Sequence, residues 1–241
     1  MSFRWELPVL LALCCVSCSI KENRDRCPCS LTLDVKAPGE VRVLMEGNEF
    51  SLDGTFPGDT SFTCLAPRPS VRITGVCGAQ WDGGVLIPEG EECPPLYLGV
   101  CRTDTNREEH RTEVPLYKSF CTLEMNFTCP QGWKPLLLEL RGNVCGYGRD
   151  GRPLEGPFVF RPQLSSTGRC SVRIPRQTDG SLVLDFGGGF VFALGKYIME
   201  GGYDWEKPDL PDMEMDVDIS LTVISFHWDG WTHTEDLYYL I

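Results

Sequence analysis

The chain has 241 residues, 42% of them hydrophobic and 10% aromatic. That is enough for one large or two ordinary domains and too apolar for a disordered chain. The formal charge of −12 argues against nucleic acid as a partner, because phosphate contact needs a basic face.

The amino end reads as an export signal. Leu7, Val9, Leu10, Leu11, Ala12 and Leu13 form an apolar run, closed by Val16-Ser17-Cys18. A short apolar core before a small-residue cut site is a secretory signal, and the run falls short of the ~20 residues a membrane span needs. A cysteine directly after the cut is the lipid acceptor of bacterial lipoproteins. Cys18 is therefore the predicted lipidation site, and Cys14 and Cys15 follow less suitable residues. The alternative is ordinary secretion with Cys18 in a disulfide. Residues 1–17 are the signal peptide and residues 18–26, with the charged run Lys21 to Arg26, a polar tether.

From Cys29 the pattern has period two. Cys29, Leu31, Leu33 and Val35 alternate with Ser30, Thr32 and Asp34, which predicts a half-buried strand. Pro38-Gly39 turns the chain, and Val41, Val43 and Met45 begin a second strand. Further short apolar runs are Val71, Ile73 and Cys77, then Leu86-Ile87, then Leu96, Leu98 and Val100. Arg102 to Thr112 is charged and aperiodic and reads as a linker between domains 27–112 and 113–241. The second half opens on one long predicted strand, with Tyr117, Ser119, Cys121, Leu123, Met125, Phe127 and Cys129 on one face. Leu136, Leu138 and Leu140 follow, then Cys170, Val172 and Ile174, then Leu182, Leu184 and Phe186. Phe190, Phe192 and Leu194 come after Gly187-Gly188-Gly189, which suits a hairpin. Nothing keeps a helical period for long. Many short strands with 25 Gly and 18 Pro predict an all-β protein of two antiparallel sandwiches.

Glu200 to Asp218 is acidic. It lacks the glycine-containing loop of a calcium hand, and a solvated connector is the expectation. Val217, Ile219, Leu221 and Val223 then change phase to Ile224, Phe226 and Trp228, as a bulge or two-sided burial would cause. Asp229-Gly230 is a turn signal, and Glu235 to Ile241 reads as a final strand.

Ten of the 13 cysteines follow the signal: Cys27, Cys29, Cys64, Cys77, Cys93, Cys101, Cys121, Cys129, Cys145 and Cys170. An even count in an exported chain predicts at least one disulfide, with connectivity unreadable. Cys121 and Cys129 face inward and suit plain core thiols. That leaves Cys27, Cys29, Cys64, Cys77, Cys93, Cys101, Cys145 and Cys170 as disulfide candidates. No cysteine pair has zinc-ligand spacing, and the three histidines lie far from the cysteines. No metal or cofactor is expected.

No catalytic constellation stands out, and the chain is not read as an enzyme. No serine or cysteine sits in a nucleophile elbow. His227 and His233 flank Trp228, Asp229 and Trp231. Three readings fit them: core-facing tryptophans on a hairpin, a sugar-binding surface, or a hydrolase of unrecognised type.

Four stretches carry a resemblance. They are the lipobox with the tether and Cys27-Pro28-Cys29-Ser30-Leu31-Thr32-Leu33; Val114-Pro115-Leu116-Tyr117-Lys118-Ser119-Phe120; Gly142-Asn143-Val144-Cys145-Gly146-Tyr147 with Asp150-Gly151 and Gly156-Pro157-Phe158; and Tyr203-Asp204-Trp205 with Asp209-Leu210-Pro211-Asp212. In order and spacing they resemble the FimB-type fimbrial anchor lipoproteins of Bacteroides relatives. The resemblance implies two transthyretin-like or immunoglobulin-like sandwiches and an outer-membrane lipoprotein at the cell surface. It also implies a fimbrillin shaft subunit as partner, joined by strand exchange. An anchor of this kind keeps its first strand and stops fibre growth. The strand-exchange residues so implied are Leu237, Tyr238, Tyr239, Leu240 and Ile241. The alternative from another class is a glycan-binding or adhesin lipoprotein that does not polymerise.

Overall fold

The computed structural model describes residues 27–128, 137–187, 189, 191–218 and 223–236, Glu235 and Asp236 by their backbone alone. The signal, Cys18, the tether, Cys129, and Leu237 to Ile241 lie outside the described residues.

The first period-two segment becomes β1 (Cys29–Val35), with Cys29, Leu31, Leu33 and Val35 buried. It lies between β4 (Thr60–Ala66), antiparallel, and β8 (Glu109–Glu113), parallel. A second sheet carries β3 (Phe50–Phe56), β2 (Val41–Gly47), β5 (Ser70–Cys77), β7 (Tyr97–Asp104) and β9 (Tyr117–Lys118), in that order. One core joins the two sheets: Leu31, Leu33 and Val35 from the first meet Val41, Val43, Met45, Val71 and Ile73 from the second. Each such side chain, fully buried, contributes ~1.5–3 kcal/mol.

The other half repeats this plan. β10 (Phe120–Thr128) lies between β13 (Arg169–Pro175), antiparallel, and β16 (Met213–Asp218), parallel. The facing sheet runs β12 (Pro153–Phe160), β11 (Glu139–Tyr147), β14 (Val183–Asp185) and β15 (Val191–Phe192), the same order as β3, β2, β5 and β7. The fold is therefore two β-sandwiches of one topology. Both are mainly antiparallel, with one parallel pair each, a pairing the alternation of side chains does not reveal. Two elements distinguish the second copy. A helix, α1 (Leu194–Glu200), precedes the strand β16, and a hairpin, β17 (Val223–Trp228) with β18 (Trp231–Asp236), extends the sheet beyond β16.

Several sequence expectations need correction. Arg102 to Thr112 is not a linker: it completes β7 and forms most of β8, whose charges alternate with half-buried His110 and Thr112. The aperiodic look comes from a polar outer face on an edge strand. The long strand from Tyr117 breaks at Ser119. Tyr117 and Lys118 pair with β7 in the first sandwich, whereas Phe120 onward belongs to the second. Val217 and Ile224 belong to separate antiparallel strands, β16 and β17, rather than to one bulged strand; Ile219 and Leu221 lie outside the described residues. The helix has only seven residues, too few for its period to register. The nine cysteines among the described residues are free thiols in this structure, which leaves the disulfide expected from the cysteine count as an expectation. Cys29 and Cys64 are diagonal neighbours across the β1–β4 ladder, Cys29 opposite Ala66 and Cys64 opposite Leu31, while Cys101 stands opposite Ile73 and Cys170 opposite Met125.

The two sandwiches are fastened together at several points. The stretch after β8 crosses close over Gly99, where a Cβ would lie 1.9 Å from the Pro115 carbonyl oxygen, so only glycine fits. β6 (Val85–Leu86) leaves the first half and pairs with β11. Ile87 and Cys93 then enter the second core. Ile87 N–H donates to the Cys145 carbonyl at 2.8 Å, and Gly90 N–H to that of Val159 at 2.8 Å. A small cluster of Val76, Trp81, Val85, Leu96 and Leu98 closes over Tyr147.

On the outer face, Arg111 of β8 grips Asp34 of β1 through two bonds of 2.7 Å. Hydrogen bonds from Arg111 and Ser61 lower the Asp34 carboxyl from 3.8 to about 2. A depressed carboxylate stabilises the fold above its unfolded pKa, and that contribution fades as pH falls toward the folded value. The Asp34 contribution should therefore be complete above about pH 4 and lost between about pH 4 and pH 2. In Arg111→Met, a carboxyl NMR titration should move Asp34 back up toward the ordinary range. An unmoved titration would show that the guanidinium is not the cause.

Candidate functional site

Of the two elements without a counterpart in the first sandwich, the hairpin carries the residues the sequence made most suggestive. β17 alternates Ile224, Phe226 and Trp228 inward with Val223, Ser225 and His227 outward. Trp228 and Trp231 stand opposite each other across the Asp229-Gly230 turn. Asp229 takes a positive φ of 45° and Gly230 one of 75°, as a two-residue hairpin turn requires.

The two indoles lie against each other tilted by 30°, with centroids 3.9 Å apart. The other neighbour of Trp231 is the His233 ring, at 5.2 Å. Gly201, which caps α1, sits against the edges of both indoles, and a Cβ there would lie 2.3 Å from Trp231. Trp228 is 7% exposed and belongs to the second core, with Trp231 packed against it. Trp228 lies in the core and Trp231 packs against it, so the tryptophans fasten the hairpin to the body.

The histidines point to opposite faces. His233 is on the inner side with Trp231. His227 is on the outer side, where Nδ1 lies 3.0 Å from the Thr232 hydroxyl and Nε2 3.4 Å from Asp216. They do not converge on one reacting centre. The outer face of β16 presents Glu214 and Asp216, both joined to the Asn126 amide at 2.9 Å. Among the described residues no group of three or more His, Cys, Asp or Glu is placed to hold a metal ion. An open cleft of about 450 Å³ runs from Glu124 and Glu214 past His227 to Trp228 and Trp231.

The acidic connector is not simply solvated. Tyr203, Trp205 and Leu210 are buried, Asp212 accepts from Lys118 Nζ at 2.7 Å and from Thr122 N–H at 2.6 Å, and residues 213–218 are the strand β16. The apolar residues are interleaved with the acids at no regular period, which hid them.

The cysteines are dispersed. Cys27 is exposed; Cys29, Cys77, Cys93 and Cys121 are buried; Cys64, Cys101, Cys145 and Cys170 are partly buried. Burial pushes the Cys93 and Cys121 thiols up to about 12 and that of Cys170 up to about 11. Such thiols are protonated at neutral pH and act as small apolar side chains.

No family model matches the chain, and no curated protein does. Solved structures do. A candidate polysaccharide-binding protein from Bacteroides thetaiotaomicron matches with a TM-score of 0.61 and 14% identity, over 86% of this chain and 98% of its own. A candidate adhesin from Bacteroides ovatus matches with 0.59 and 13%, over 86% and 96%. The fimbrial anchor protein Mfa2 from Porphyromonas gingivalis matches with 0.55 and 8%, over 86% and 99%. The fold is that of Bacteroidales fimbrial and adhesin-like proteins. At these identities the likeness is one of fold, and it extends over 86% of this chain in each case.

Trp231→Ala should lower stability by about 2 kcal/mol, less than the ~3–5 kcal/mol of a fully buried tryptophan. The urea midpoint should fall with an unchanged slope. An unaltered midpoint would show that the ring carries no packing and is free for a ligand.

Proposed function

We propose that this chain is an outer-membrane lipoprotein, attached through Cys18, that anchors or caps a cell-surface fimbria by strand exchange with a fimbrillin shaft subunit. Among the described features, the hairpin β17–β18 carries this reading. The first sandwich has no counterpart to it, and it lies at the end of the sheet, so its outer strand can be lent without dismantling either core. The first strand, by contrast, is held on both sides by β4 and β8. A subunit built this way has filled its own amino-terminal place and offers strand-forming sequence at its carboxyl end. Strand addition of this kind draws affinity from the main chain and specificity from alternate side chains. The apolar Leu237, Tyr238, Tyr239, Leu240 and Ile241 extend the donor segment. The fold shared with Mfa2 is compatible with this reading.

Deleting residues 235–241 tests the reading. The truncated protein should remain folded and in the envelope, and fibres should detach from the cells into the medium. A stable truncation that still retains fibres would overturn strand donation. Loss of the protein itself would mean that the segment completes its own sandwich instead.

A further inference from the structure

Residues 203–212 run from the cap of α1 to the start of β16, and one half-buried cation holds their first half. Arg176, just after β13, gives Nη1 to the carbonyls of Trp205 and Lys207, the second at 2.7 Å. Its Nη2 goes to Lys118 at 2.9 Å and Pro208 at 3.3 Å. Burial lowers its pKa. These four acceptors are all main-chain carbonyls; a half-buried guanidinium so placed reads the path of the chain and not its side chains. The Arg176 backbone N–H donates to the Ser119 carbonyl at 3.1 Å and to the Tyr147 hydroxyl at 3.0 Å. Tyr147 in turn donates to Ser119. Ser119 N–H reaches back to the Leu96 carbonyl at 2.9 Å. Arg176 thus ties 203–208 to the strand that joins the two sandwiches.

The other side of the same segment touches the hairpin. Tyr203 meets Trp228 edge-on at 5.6 Å and Trp205 at 4.8 Å. Gly201 lies against Trp228 and Trp231. Lys207 Nζ pairs with Asp229, in the hairpin turn, at 3.3 Å. The Trp205 indole N–H is buried without a partner, a cost accepted where this segment is pressed between junction and hairpin.

We propose that residues 203–208 form a strap, latched by Arg176, that couples the junction of the two sandwiches to the grip on the hairpin β17–β18. Unlatching it loosens the hairpin while both cores stay folded. Arg176 is then a positioning residue for the segment proposed as strand donor. This inference rests on that donor reading for its purpose, but its test does not involve a fimbria.

Hydrogen exchange on the full-length chain, in wild type and Arg176→Met, decides it. Amides of 203–208 and of 223–236 should both exchange about tenfold faster or more, as in a local opening. Those of β1 and β10 should keep their rates. Faster exchange in the strap with an unchanged hairpin would overturn the coupling. Equal acceleration throughout would reduce Arg176 to an ordinary stabiliser and overturn the latch. Arg176→Lys keeps the charge but lacks the planar fork, and it should accelerate the same two segments to a smaller extent. If Arg176→Met fails to fold, wild-type exchange in Arg176→Lys overturns the proposal. Detached fibres with a wild-type exchange pattern in the tail deletion would bear on strand donation and leave the latch standing.

Discussion

The pairing of β1 on both edges is the constraint on which the rest depends. A strand with one neighbour can peel from an edge, whereas β1 must break two ladders to leave. Antiparallel bonds from Cys29 to Val35 hold one side and parallel bonds from Ser30 to Asp34 the other. Its inward face, from Cys29 to Val35, is wholly buried against the facing sheet. The parallel neighbour β8 comes late in the sequence, so the first sandwich closes only when residues 109–113 return to the strand that began it. That return also fixes the crossing over Gly99 and the entry of β9 into the facing sheet. The place where the chain passes from one sandwich to the other is thus set by how β1 is held.

The second sandwich uses the same plan and depends on the first. Residues 85–93 leave the first half to supply β6, Ile87 and Cys93 to the second, and Tyr147 closes a cluster made mostly of first-half residues. Contacts at several sequence positions join the halves, rather than one exposed linker. A pull at the amino end would be carried by β1 and the junction together. The hairpin adds to the edge at β16: Ile224, Phe226 and Trp228 of β17 enter the second core, whereas its outer strand β18 is held by its pairing with β17 and by Trp231 against Trp228 and Gly201.

Much of the fold was legible because half-buried strands write their burial into period-two alternation. Leu31, Leu33 and Val35, then Leu123, Met125 and Phe127, fall inside as the pattern required. What stayed hidden was long-range or locally unpatterned. Parallel pairing of β1 with β8 leaves no mark in either strand alone. β8 carries its charges on an exposed edge, so it looked like a linker. The break at Ser119 is a change of sheet within unbroken alternation. The functional candidates followed the same rule. Alternation could mark Trp228 as inward, but only the fold shows Gly201 against both indoles and Arg176 beneath the strap, because those partners come from distant sequence.

The chain holds β1 fast on two edges and β18 on one. Native-state hydrogen exchange under increasing denaturant measures this directly, because it separates global from local opening. The account predicts that the β1 amides of Leu31 to Asp34 exchange only through global unfolding. It predicts that amides of β18 exchange through a local opening that depends little on denaturant and costs far less free energy. If β1 opens locally at a free energy as low as that of β18, or if β18 exchanges only with global unfolding, the account is contradicted.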